Sequence, residues 1–241
     1  MSAPLLMSRS AMRCENNLPT VPGPDNSICD YLQSLRWDGL PRLSAWLYIY
    51  GNAADTAFVR AAGRAALVAA VRRARYPGCE LSGLLILEGR RGDALAGLET
   101  LAPAWACFHR KRAIDARVPP GKWIVALDLK DVRDDTRAWR EGWRTVSRLV
   151  VRGHGRSVPR DFVCIGHAPT TVHFRNWGDL GVFWPVPIGR FDLDGLEAAR
   201  DQLWAEAVVA EALGESIALP QELWVVPRGT PSLRLIDGGR A

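Results

Sequence analysis

The chain has 241 residues and a net charge of +5, with a pI near 9.2 and a mean hydropathy of -0.06, values ordinary for a globular protein with one substantial core. No apolar stretch reaches the roughly 18 residues of a membrane helix, and the opening MSAPLLMSRSAMR has no continuous apolar h-region, so neither a membrane span nor a secretory signal is expected. The five cysteines are scattered without a C-x-x-C, which suits reduced thiols in a cytoplasm, and no histidine has zinc-ligand spacing.

In chain order, residues 1–26 are polar, rich in Pro, Asn and Ser, and without period, and they read as a disordered leader. Ile28, Leu32 and Leu35 then fall at helical spacing, predicting a short amphipathic helix that stops before Trp37-Asp38-Gly39. The stretch from Thr56 to Arg75 is alanine-rich and closed by Pro77-Gly78, which cannot continue a helix. Its Arg60, Arg64, Arg72 and Arg75 share an arc of about 120° with Val68 and Val71. This reads as arginines snorkelling around a largely buried helix rather than as a clean basic face.

Leu84 to Glu88 is an apolar strand, LLILE, followed by the glycine-rich Gly89-Arg90-Arg91-Gly92-Asp93-Ala94-Leu95-Ala96-Gly97 and a helix-like stretch. A strand, a glycine-rich turn and a helix form the setting in which a P-loop cradles nucleotide phosphates. The lysine and hydroxyl of G-x-x-x-x-G-K-[ST] are missing: Leu95 and Ala96 stand in their places.

Further strand candidates are Trp123 to Leu129, Phe162 to Gly166 and Val182 to Val186, with Trp105 to Phe108 as an additional one. Short apolar runs alternating with helix-length intervals predict an α/β fold with a largely parallel sheet covered on both faces. The last helix is assigned Asp194 as N-cap, Glu197 as the second member of a capping box, Gly214 just past its end, and an apolar face of Leu196, Ala199, Leu203, Ala207 and Ala210. Trp204 beside that face reads as core, and residues 228–241 as a flexible tail.

Several of these segments together resemble the virulence-associated E (VapE-like) P-loop proteins of prophages and mobile elements. Tyr31-Leu32-Gln33-Ser34-Leu35-Arg36-Trp37-Asp38-Gly39-Leu40-Pro41-Arg42-Leu43 is similar to that family's YLxSLxWDGxPRL. Tyr76-Pro77-Gly78-Cys79, LILEG, Gly121-Lys122-Trp123-Ile124-Val125, Phe162-Val163-Cys164-Ile165-Gly166, Phe183-Trp184-Pro185-Val186 and Asp201-Gln202-Leu203-Trp204-Ala205-Glu206-Ala207 follow in the family's order. The resemblance runs from about Ile28 to Leu219. It implies one P-loop NTPase domain over 27–227, of AAA+ and superfamily 3 helicase-like type, with an N-terminal helical segment and a mostly parallel sheet flanked by helices. It also implies a setting in phage or plasmid replication.

The departures fall where catalysis would be. Gly89 and Gly92 survive with Arg90 and Arg91 between them, while Leu95 and Ala96 replace lysine and serine. The two glutamates of the family's Walker B strand correspond to Ala126 and Leu129, with Asp128 one residue away from the second. Where the sensor strand should end in Thr-Thr-Asn the chain has His167-Ala168-Pro169, and Gly181 and Val182 replace a pair of arginines. Phosphoryl transfer depends on positioned charge, so the joint losses imply a catalytically inactive pseudoenzyme with no cofactor. Weak ATP and magnesium binding stays open, since Arg90 and Arg91 still offer cations; their alternative reading is as solvated loop residues.

Read directly, Arg133, Arg137, Arg140, Arg144 and Arg148 fall within an arc of about 80° on a helix, with Trp139, Trp143, Val146 and Val150 opposite. Such a stripe is either an ordinary solvated face or a surface tracking a DNA or RNA backbone, which Arg152, Arg156 and Arg160 would extend. Three functions follow as expectations: an inactive module binding nucleic acid or a protein partner, a residual ATPase of helicase type, and a remnant without activity. Oligomeric state stays open.

Overall fold

The computed structural model describes residues 28–104, 106–110, 119, 121–129, 149–152, 156–169 and 183–224, with backbone alone at 108–110, 149–152, 156–158 and 224. The expected leader, the tail beyond 228, the arginine stripe from Arg133 to Arg148, and Gly181 and Val182 lie outside the described residues. The helices are α1 (Ile28–Ser34), α2 (Trp46–Ile49), α3 (Ala57–Arg75), α4 (Arg91–Leu101) and α5 (Leu193–Ala212), with a final 3-10 turn at Gln221–Trp224. The strands are β1 (Leu84–Glu88), β2 (Cys107–Arg110), β3 (Ile124–Asp128), β4 (Leu149–Arg152), β5 (Arg156–Pro159), β6 (Val163–Ala168) and β7 (Phe183–Pro187).

The sheet is the parallel one that the apolar runs predict. Its order is β2-β3-β6-β1-β7, and every neighbouring pair is parallel. Strand β6 therefore separates β1 from β3. One face, comprising Leu85 and Leu87, Ile124 and Ala126, Val163 and Ile165, and Trp184 and Val186, joins α3, α4 and α5 in a single core. Sequence patterning implies helices on both faces. Among the described residues α3, α4 and α5 pack on this one face, while Leu84, Ile86, Val125 and Leu127 on the other are buried as well. Strand β7 explains how FWPVP fits a sheet. Ile188 N–H donates to Glu88 O at 2.8 Å, so alternate residues turn their amides toward β1 and Pro185 and Pro187 occupy the outward positions, where no donor is needed.

Helix α3 begins where Thr56 accepts from Val59 N–H at 3.2 Å and ends at Tyr76, before Pro77. Its arginines do more than snorkel. Arg64 pairs with Glu206, and Arg72 and Arg75 with Glu211, so the α3–α5 seam is closed by ion pairs around an alanine-rich contact, while Arg64 also reaches Glu215 just past α5 and Arg60 pairs locally with Asp55.

The N-cap of α5 is Asp192, not Asp194. Asp192 Oδ1 accepts from Gly195 N–H at 3.0 Å, and a Cβ at Gly195 would strike that carboxylate. The glycine lets the earlier aspartate close on the helix end, which no spacing rule of the S/T-x-x-E type anticipates. The expected stripe from Leu196 to Ala210 is buried throughout, and Gly214 at φ +77° terminates the helix. Trp204 is core: it tilts against Trp123 at 4.2 Å and donates to Leu101 O.

A hairpin replaces part of the expected basic helix surface. Strands β4 and β5 pair antiparallel, with Val150 opposite Val158, so Val150 is not on a helix. Arg160 cannot extend a basic surface either. It is 2% exposed, lies 4.5 Å over Phe162, and donates to Cys164 Sγ at 3.6 Å. Burial pushes the Arg160 guanidinium below its ordinary pKa. Arg73, which donates to Arg160 O, is brought down to about 10 by burial and then by the neighbouring Arg160 charge.

Candidate functional site

In an open parallel sheet, ligands bind beyond the carboxyl ends of the strands, where connections diverge. At that edge the ends of β1, β6 and β3 lie side by side. These are the segments that the motif series pairs with phosphate loop, sensor and Walker B strand.

The turn after β1 contains only Gly89 and Arg90, because α4 already begins at Arg91. In a phosphate-binding loop the residues ahead of the lysine form an open turn between strand and helix, and the lysine and hydroxyl stand at the start of the helix. Here Arg91 and Gly92 belong to the first helical turn, and Leu95 and Ala96 lie further along α4, half-buried, with Leu95 packed on the core. Gly89 N–H donates to Ala168 O at 2.9 Å, and a Cβ at Gly89 would meet Ile188 Cγ1 at 2.9 Å and Ile188 O at 3.0 Å. The surviving glycine thus serves the close passage of the chain leaving β7. Arg90, the N-cap of α4, makes no side-chain capping bond, and a Cβ at Gly92 would meet nothing within 4 Å.

On β3, Ala126 and Leu129 are fully buried apolar residues. Asp128 lies on the face opposite to Leu129, as strand alternation requires, and therefore shares the face of Ile124 and Ala126, on which α4 packs. Its Oδ2 is 3.5 Å from Arg91 Nε. In register, His167 of β6 stands between Asp128 of β3 and Leu87 of β1, and His167 is buried. Leu129 N–H donates to His167 O at 2.9 Å.

The structure thus brings Arg91, Asp128 and His167 together, a grouping that motif matching misses because it treats Asp128 and His167 as departures from an expected pattern and Arg91 only as a loop cation. The available signal was parity: Asp128 is two residues from Ala126 and keeps its face. Among the described residues no group of three or more His, Cys, Asp or Glu could hold a metal ion, and no helix is long and apolar enough to cross a membrane.

Residues 32–117 match the model of the virulence-associated protein E-like domain. This stretch, about a third of the chain, is thus similar to a VapE-like domain. The VapE-like stretch runs from α1 through β1, α4 and β2, and so includes the shortened turn and Arg91. No curated protein matches the chain. Among solved structures it is similar to the A form apo structure of the NrS-1 C-terminal region, at 11% identity and a TM-score of 0.46, over 73% of this chain and 48% of that one. It is also similar to the apo structure of the NrS-1 C-terminal region (305-718), at 11% identity and a TM-score of 0.43, over 77% and 54%. The chain spans about half the length of these structures.

The opening and closing motifs of the VapE-like series meet in space. Tyr31 Oη donates to Asp201 Oδ1 at 2.7 Å, Asp38 N–H to Gln202 Oε1 at 2.9 Å, and Gln202 Nε2 to Arg36 O at 3.1 Å. Glu206 Oε2 accepts from both Arg42 N–H and Leu43 N–H, at 2.6 and 2.8 Å. The WDGLPRL and DQLWAEA segments are therefore the two halves of one structural clasp. Desolvation raises the Tyr31 pKa, reinforced by the Asp201 carboxylate beside it.

Proposed function

We propose that this VapE-like chain is a catalytically inactive P-loop-type module, AAA+- and superfamily 3 helicase-like in ancestry. Its role is to bind nucleic acid or a protein partner in a replication-related setting of a phage or other mobile element. The observation that carries the reading is the turn of Gly89 and Arg90 between β1 and α4, too short for a loop to wrap a triphosphate. The adjacency of β1, β6 and β3 supports the ancestry, since it gathers the loop, sensor and Walker B segments at one edge. Apolar Ala126 and Leu129 support the inactivity, because neither carries a carboxylate for metal or water.

Nucleic-acid contact is assigned in this reading to Arg133, Arg137, Arg140, Arg144 and Arg148. Five guanidinium groups contacting a nucleic-acid backbone would neutralise several phosphates and make binding steeply salt-dependent.

The test is calorimetric titration of magnesium ATP into the full chain, then a turnover assay, and DNA and RNA binding at about 50 and about 200 mM salt. The expected result is no turnover, with nucleic-acid affinity that falls steeply with salt and is lost on replacing Arg137, Arg140 and Arg144 by alanine. Magnesium-dependent phosphate release would establish a residual ATPase instead. Absence of nucleic-acid affinity would remove that arm and leave a protein partner or an inactive remnant.

A further inference from the structure

The Arg91–Asp128 pair is asymmetric. The Asp128 side chain is 5% exposed and that of Arg91 54%, so a guanidinium reaching from solvent covers a carboxylate that the sheet holds out of water. Arg91 is itself the first residue of α4, where the helix dipole favours negative charge, and the N-cap residue Arg90 makes no side-chain capping bond there. That corner is where a strand-turn-helix unit takes an anionic ligand.

We infer that Arg91–Asp128 is an internal charge lock: Asp128 supplies, from within the chain, the anion that Arg91 and the start of α4 would otherwise take from a polyphosphate. The inference rests on the reading of an inactive site and describes how that state is held. A polyphosphate approaching Arg91 must either displace a buried carboxylate or bring its own charge beside it, and like charges a few ångströms apart in a partly desolvated corner repel strongly. The lock ties α4 to β3 across β6, so helix and sheet hold together without a ligand.

The experiment is thermal unfolding of the full chain as wild type, Asp128→Asn, Arg91→Gln, Arg91→Lys and the Asp128→Asn/Arg91→Gln double variant, each with and without inorganic tripolyphosphate. The wild-type Tm is expected not to respond. Asp128→Asn frees the arginine: its Tm should fall by about 2–4 °C and recover when tripolyphosphate supplies the lost charge. Arg91→Gln should fall further, because it leaves a buried carboxylate without this cation, and neither it nor the double variant should recover. Arg91→Lys should stay close to wild type and unresponsive, which keeps the test decisive if Asp128→Asn folds poorly.

Equal stabilisation of wild type and Asp128→Asn by tripolyphosphate overturns the lock, as does Arg91→Lys melting like Arg91→Gln. ATP turnover by the wild-type chain would refute the inactive-site reading without altering these melting shifts.

Discussion

Glu206 on α5 accepts a hydrogen bond from the backbone N–H of Leu43, 163 residues earlier in the chain, at 2.8 Å. The same carboxylate takes the Arg42 N–H and pairs with Arg64 of α3 at 2.9 Å, while its side chain is 4% exposed. One buried acid thus fastens the segment before α2, the long helix α3 and the last helix together. Glu206→Ala removes the acceptor for two amides and a half-buried arginine, and should cost about 2–4 kcal/mol of stability. Glu206→Gln, which retains one acceptor oxygen, should cost less than half as much; urea unfolding of both variants reads the difference.

Gly83, just before β1, should not tolerate alanine. A Cβ there would run into the buried Trp184 ring, with Nε1 at 2.6 Å. The ring is enclosed by the core, so Gly83→Ala should destabilise by about 1–3 kcal/mol through overpacking. The urea midpoint should fall and the near-ultraviolet circular dichroism of the tryptophans should change.

The turn at Trp37–Arg42 should open in acid. Asp38 takes both Arg42 Nη1 and Nη2 at 2.8 Å and the Leu40 N–H at 2.9 Å, and the Arg42 guanidinium, then the Leu40 amide, lower its pKa to about 2. A carboxyl whose folded pKa is depressed contributes stability above its unfolded pKa of about 4 and loses it as pH falls through the folded value. Between about pH 4 and 2 the native turn should therefore lose this support, and Asp38→Asn should remove that pH dependence. Trp37 Nε1–H, which donates to Leu40 O, is the natural reporter in an NMR titration.

Arg160 is a structural arginine and contrasts with Arg140, to which the proposed function assigns nucleic-acid contact. It is buried against Phe162 and Cys164, so Arg160→Ala should lower the Tm yet leave the salt slope of nucleic-acid binding unchanged. Arg140→Ala should do the reverse, reducing the slope by about 1. A filter-binding salt series alongside a melting curve for each variant distinguishes the two.

Helix α3 and strands β1 and β3 were legible because each carries a local signal: Thr56 and Pro77 bracket α3, and LLILE and the apolar run Ile124–Leu127 have the length and continuity of buried strands. The α5 cap was misplaced by two residues because Asp192 and Asp194 are both good N-caps, and the choice lay with Gly195, which alone admits the Asp192 carboxylate. Short α2 and the hairpin β4–β5 were missed for a related reason. Four-residue elements carry too little periodicity to stand out, and Val150 fits a helix stripe as well as a strand.

By itself the sequence determined the parallel α/β architecture and the apolar character of Leu95, Ala96, Ala126 and Leu129, because apolar periodicity and side-chain chemistry are properties of single residues and their neighbours. Tertiary structure alone decided that β6 lies between β1 and β3, that Arg91 covers Asp128 beside His167, and that Arg160 is buried rather than displayed. Those relations join residues dozens of positions apart, and they depend on which strand is hydrogen-bonded to which and on the face each residue turns to the core, quantities that emerge only when the whole sheet closes on its helices.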